Sequence, residues 1–386
     1  MQFLSKTVLK KFINKEIKEI GFDETYSKYA INKHIFLSIK IFDVKSKVAN
    51  IIKQTALSSG CDCAVNKGVI DCSIELSDCI LSGTLSQIET VAKKLYSQPF
   101  SLSVLAQNLL ELIELEKSHK KRTKIMGILN LTPDSFSDGG EFLQIDKAIN
   151  HAVDMIEQGA HIIDIGAQST RPGADIVSVE YEIQKAVPII AALKTAYPNI
   201  ELSIDTMTPE CALASINAGV DIINDVSSLN NDEIAKLCLK YDKKLVIMHN
   251  RGNSKTMDEL TQYNNIVDDI YKDLAQKAEY ALSLGIERNN IILDLGFGFA
   301  KNVEQNFVLL NRINEFKSLG FPILAGVSRK RFLQDVINTK EPKDADIQTL
   351  LASSWLIQQD VDILRVHNVS LTAQALKFND RLYTFN

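Results

Sequence analysis

Residues able to do chemistry recur at the ends of short apolar runs. Asn130 closes the run at 125–129, Asp205 the one at 202–204, Asn224 the one at 222–223 and Asp294 the one at 291–293. His249 follows 245–248, Ser328 and Lys330 follow 323–327, and Arg365 and His367 mark the end of 363–366. Helix N-caps also favour Asp, Asn and Ser. Lys330, Arg365 and His367 do not fit that explanation, because the positive end of the helix dipole repels cations. Two sets emerge. Asp205, Asn224, Asp294 and Lys330 mix donors with acceptors, which suits a flat heterocycle carrying an amino group, a ring N–H and a carbonyl. A carboxylate accepts two parallel hydrogen bonds from such an edge, and each polar head left unpaired costs ~1–3 kcal/mol. Asn130, Ser169, Thr170, Arg171, Arg365 and His367 form an anion-binding set. It suits a diphosphate with Mg²⁺, since a hard cation takes amide and phosphate oxygens together.

The elements that must position these groups follow from the apolar pattern. The runs at 125–129, 162–165, 202–204, 222–223, 245–248, 291–293, 323–327 and 363–366 are short and rich in β-branched residues, as expected of parallel strands buried on both faces. Amphipathic helices alternate with them at 145–158, 180–195, 209–217, 233–240, 266–284, 303–317, 347–358 and 371–381. This predicts an α/β chain with a (β/α)8 TIM barrel over 121–386, whose chemistry lies at the C-terminal ends of its strands. A doubly wound open sheet is the alternative, but no glycine-rich phosphate loop follows the first strand. Two loops, 132–140 after the first strand and 169–174 after the second, carry turn formers with Phe136, Asp138 and Arg171, and read as lids over bound substrate.

A polar, basic linker at 117–123 separates the barrel from residues 1–120, which read as a small α/β domain without an active-site constellation. Its expected elements are strands at 34–43, 61–66, 69–76 and 78–83 and helices at 44–59, 85–96 and 101–116. This region is slightly basic yet contains no Arg, and the 386-residue chain carries a net charge of -5, which argues against a nucleic-acid partner. No apolar run approaches the ~18 residues that span a bilayer, and the opening segment is unlike a signal peptide, so a cytoplasmic location is expected. Cys61, Cys63, Cys72 and Cys79 crowd together without a recognised zinc spacing; they and Cys211 and Cys238 are expected to be free thiols.

The segment from Met126 to Gly140, Ile163-Asp164-Ile165-Gly166 with Ser169-Thr170-Arg171-Pro172-Gly173-Ala174, Asp294-Leu295-Gly296-Phe297-Gly298-Phe299 with Lys301-Asn302, Ser328-Arg329-Lys330 and Arg365-Val366-His367 together resemble the motifs of the dihydropteroate synthase family, in order, over 124–386. The resemblance implies a pterin-binding barrel, a homodimer, that joins 7,8-dihydropterin-6-ylmethyl diphosphate to 4-aminobenzoate. It implies that Asp205, Asn224, Asp294 and Lys330 hold the pterin. Asn130, Thr170, Arg365 and His367 address the diphosphate, with Asn130 contacting Mg²⁺. Phe136, Thr170, Arg171, Pro172 and Ser328 form the aminobenzoate side, where sulfonamides would compete. The implied catalytic set is Asp138, Arg171, Lys330, Arg365 and His367. Three places depart from the family pattern: Gln168 stands where Glu is usual, Leu295 where Pro is common, and Asn250-Arg251 where Met-Gln is commoner. A corrinoid methyltransferase would lack the diphosphate set, and a catalytically dead scaffold would have lost these groups.

Overall fold

The computed structural model describes residues 3–118, 122–131, 141–168 and 177–384. The chain divides into two compact units, Met1–His119 and Lys120–Phe385. The first contains α1 (Ile13–Glu19), α2 (Glu24–Ile31), β1 (Phe36–Lys45), α3 (Ser46–Leu57), β2 (Asp62–Val65), β3 (Leu76–Thr84), α4 (Leu85–Leu95) and α5 (Leu102–Lys117). Its antiparallel sheet has the order β1-β3-β2. Alternation along β3 buries Ser77, Cys79, Leu81 and Gly83 on one face. Cys79 and Leu81 meet Ile52 of α3, and Ile88, Val91 and Leu95 of α4, in one core. A Thr84/Gln87 capping box starts α4.

The expected strand at 69–76 does not form. Ser73 N–H donates to Asp71 Oδ1 and to Gly68 O, and Cys72 takes a φ of 54°. Local turn chemistry around Asp71 therefore overrides the apolar content of the segment. All six cysteines are free; Cys61, Cys63 and Cys79 lie in the core and Cys72 is exposed.

The second unit is a closed parallel barrel: β4 (Lys124–Asn130), α6 (Glu141–Glu157), β5 (Ile162–Gly166), α7 (Val179–Ala196), β6 (Glu201–Asp205), α8 (Pro209–Ala218), β7 (Ile222–Asp225), α9 (Glu233–Tyr241), β8 (Lys244–Met248), α10 (Ile266–Ser283), β9 (Ile291–Asp294), α11 (Val303–Arg312), β10 (Ile323–Ala325), α12 (Arg331–Asp335), α13 (Asp346–Gln358), β11 (Ile363–Val366) and α14 (Val369–Thr384). The helix expected over 303–317 ends at Arg312 and continues as a 3-10 turn, and α12 is an added short helix.

Strand side chains alternate between the barrel interior and the helical layer. Met126, Ile162, Ile222, Val246, Ile292, Leu324 and Ile363 form one apolar cluster, separate from the larger core beneath the helices, and so mark the interior. Two residues further along the same strands stand Ile128, Asp164, Asn224, Met248, Asp294, Gly326 and Arg365. Asp205 joins them, because it pairs in register with Asn224. The interior is apolar at mid-height and polar near the C-terminal mouth.

Candidate active site

The C-terminal mouth gathers its charges from five strands. Arg365 Nε donates to Asp164 Oδ2 at 2.6 Å, and its Nη2 donates to Asp205 Oδ2 at 2.6 Å. Asn224 Nδ2 donates to Asp164 Oδ2 at 3.3 Å. Asp164 is fully buried, and Asp205 and Asp294 nearly so. The second oxygens of Asp164 and Asp205 are buried with no hydrogen-bond partner among the described residues. Such groups carry a desolvation cost that a ligand donor would relieve.

The electrostatics follow from this enclosure. Burial pushes the Asp205 carboxyl up to about 7; Arg365 opposes the rise, while Asp164 and Glu182 add to it. Burial also raises Asp294, against the pull of Lys330. Lys330 is pushed down to about 8 by burial, with Asp294 opposing. Burial works against the Arg365 charge, but Asp164 and Asp205 outweigh it and hold the guanidinium ionised. The mouth thus holds three carboxylates and two cations in a space where each charge depends on the others.

The turn after β9 carries Lys330's nearest backbone partner. Lys330 Nζ donates to Phe297 O and lies 4.2 Å from the Phe299 ring centroid. Gly296 and Gly298 have φ of 65° and 77°. A Cβ at Gly296 would fall 1.9 Å from His249 O, so only glycine fits. At the ends of the adjacent strands β10 and β11, His367 Nδ1 lies 3.0 Å from Ser328 Oγ, two residues before Lys330. Asn130 ends β4 in register with Gly166.

Asp205, Asn224, Asp294, Lys330 and Arg365 therefore converge, while Ser328 and His367 pair beside them. Arg365, expected on the anion-binding side, also belongs to the heterocycle side, since its guanidinium donates to two interior carboxylates, Asp164 and Asp205. Phe136, Asp138, Ser169, Thr170, Arg171 and Pro172 lie outside the described residues. Asp164 is a site residue beyond those expected from the sequence. The signal was a carboxylate inside the run Ile162-Ile163-Asp164-Ile165, where a buried strand tolerates a charge only beside a partner.

A fold and mouth of this kind define a barrel enzyme that grips a polar heterocycle. The model of the family described as pterin binding enzyme matches residues 126–367. Dihydropteroate synthase of Synechocystis is 43% identical over 264 residues, covering 68% of this chain and 91% of that protein. A dihydropteroate synthase from Clostridium difficile, solved in the presence of pteroic acid, is 42% identical with a TM-score of 0.64, covering 69% of this chain and 98% of that one. The chain belongs to the pterin-binding enzymes and, among them, to the dihydropteroate synthase family. A probable bifunctional folylpolyglutamate synthase/dihydropteroate synthase of Haloferax volcanii is 35% identical over 348 residues, covering 84% of this chain and 41% of that protein. This match is longer than the barrel unit, so it reaches into Met1–His119.

Proposed function

We propose that this chain condenses 7,8-dihydropterin-6-ylmethyl diphosphate with 4-aminobenzoate to give 7,8-dihydropteroate and diphosphate, a step of folate synthesis, and that it does so in the cytoplasm. What carries this reading is the pair of buried carboxylate oxygens on Asp164 and Asp205, without a partner among the described residues, beside Asn224, Lys330 and Arg365. A 2-amino-4-oxopteridine supplies N–H donors for the carboxylates and Asn224, and oxygen and nitrogen acceptors for Lys330.

The aniline nitrogen is a weak nucleophile, so departure of diphosphate comes first. The C–O bond to the pterin methylene breaks with its electron pair leaving on the diphosphate. The dihydropterin ring stabilises the resulting cation. Asp205 and Asp294 offset positive charge spreading into the ring, and Arg365 and His367 face the growing negative charge of the leaving group. The aniline nitrogen then bonds to the methylene carbon and loses a proton to solvent or diphosphate.

Asn130 stands at the tip of β4, where its amide oxygen is a hard donor of the type Mg²⁺ takes alongside phosphate oxygens and water. Bound there, Mg²⁺ would neutralise charge on the leaving group.

A homodimer is supported by an apolar stripe on the outside of the barrel. Ile347, Leu351 and Trp355 recur every fourth residue on α13 and are exposed, as is Phe378 on α14. Trp355 Nε1 donates to Leu310 O, which ties the stripe to α11. Leu351→Glu is expected to yield monomers in sedimentation velocity; an unchanged sedimentation coefficient would exclude this face. Incorporation of labelled 4-aminobenzoate into dihydropteroate tests the reaction itself. Turnover requires the pterin diphosphate, and aminobenzoate binds tightly only once diphosphate is present. Tight binding to protein free of pterin and diphosphate would contradict this order.

A further inference from the structure

One buried lysine has no part in the proposed chemistry. Lys301 follows the turn after β9 and is 8% exposed. Its Nζ donates to Gly296 O at 2.8 Å and to Phe299 O at 2.9 Å, and lies 3.0 Å from His249 Nδ1. All three contacts hold in either protonation state. As an ammonium, Lys301 donates three times and His249 presents a bare Nδ1; as an amine, it donates to the carbonyls and accepts from the ring N–H. Burial, reinforced by the Lys301 charge, pushes His249 well below the usual histidine range, in keeping with a neutral ring.

What Lys301 grips is the backbone of a strained turn. Gly296, Gly298 and Ala300 have φ of 65°, 77° and 49°, so alternate residues are left-handed. For alanine this conformation is disfavoured, because Cβ crowds the following carbonyl oxygen. The turn persists because surrounding groups fix it: Gly298 N–H donates to Asn306 Oδ1 at 2.7 Å, and Tyr263 Oη donates to Ala300 O at 3.0 Å. Between the two carbonyls held by Lys301 lies Phe297 O, which receives Lys330, and the Phe299 ring lies against the same ammonium.

We propose that Lys301 is a positioning residue for the pterin end of the site. By pinning the carbonyls on either side of Phe297, it aims the Phe297 carbonyl at Lys330. Lys330 then commits one N–H to the turn and directs the other two into the mouth. Lys301 acts through Lys330 and touches no substrate. This inference rests on the reading of the mouth as a pterin site.

The test is a double-mutant cycle on the full chain, with free pterin as the probe and its fluorescence as the readout. Wild type, Lys301→Met, Lys330→Ala and the double variant are titrated. Lys301→Met is expected to weaken pterin binding tenfold or more, with no further loss when added to Lys330→Ala. A merely structural role would give additive losses, and additivity, or an unchanged affinity in Lys301→Met, would overturn the proposal. Tyr263→Phe removes only the Ala300 contact and carries the same cycle if Lys301→Met fails to fold. It is expected to weaken binding about threefold, non-additively with Lys330→Ala; unchanged or additive binding would overturn the proposal. A folded wild type that does not bind pterin would instead strike the functional reading, since the cycle requires that binding.

Discussion

The two mouths of the barrel hold similar side chains in opposite states. At the N-terminal mouth Glu201 accepts from Lys124 through one oxygen and from Lys244 through the other, so the carboxylate is fully matched. At the C-terminal mouth Asp164 and Asp205 share Arg365, and each keeps one buried oxygen with no partner among the described residues. Burial works to raise Glu201, but its two lysines outweigh that and hold it below the usual glutamate range. Asp205, under heavier burial and beside a second carboxylate, rises to about 7. A matched ion triad ties strands together. A half-matched one sacrifices stability so that a ligand can complete it.

This contrast can be broken from either end. The largest effect is expected from Asp294→Ala at the C-terminal mouth: dihydropteroate formation falls by about a thousandfold, because roughly 4 kcal/mol of charge and hydrogen-bond complementarity is lost, while the melting curve stays cooperative. Retained turnover in an aminobenzoate-incorporation assay would remove Asp294 from the site. Next comes Glu201→Gln at the other mouth. It is expected to lower stability by about 1–2 kcal/mol, a range set by the partial exposure of its ion pairs, and to leave kcat/KM unchanged. Denaturant unfolding and steady-state rates would check both halves of that statement.

The pH dependence separates the mouths by sign. Asp205 has a folded pKa above its unfolded value of 3.8, so its contribution to stability is present below that value and is lost as pH rises towards about 7. Glu201 is shifted the other way, so its contribution is present above the usual glutamate pKa and is lost as pH falls through its lowered folded value. Melting temperatures of ligand-free protein between pH 3 and 8 should therefore show Asp205→Asn flattening the neutral side and Glu201→Gln the acid side. The smallest effect is expected from removing residues 1–119. The barrel has its own closed sheet and core, so turnover should change by less than about threefold. A larger loss would give the first unit a part in the reaction.

The barrel was legible because its strands are buried on both faces, which leaves a plain apolar signature in the sequence. The tips were legible because Lys330, Arg365 and His367 are ill-suited to cap helices. Asp164 was harder to read, since its neighbours Ile163 and Ile165 make the segment look like ordinary core. Only the alternation of barrel strands, which sets Asp164 above Ile162 in the interior, reveals its role beside Arg365. Arg365 pairs with Asp164, 201 positions away, and with Asp205, 160 positions away, and no local pattern encodes either contact. In the first unit, the segment around Cys72 has the apolar content of a strand, but the turn formed by Asp71 and Ser73 prevails over it.

The first unit's sheet is open, with β1 at one edge. Its register shifts between Ile41 and Val44, Asp43 turns left-handed at φ 53°, and Lys40 and Lys45 add charge along the strand. A kinked, charged margin of this kind is a poor template for another polypeptide. This unit precedes the barrel in the chain, so it leaves the ribosome first and waits while slow parallel pairing completes behind it. An edge bulged in this way disfavours strand-to-strand joining between copies of the chain while the barrel is still incomplete.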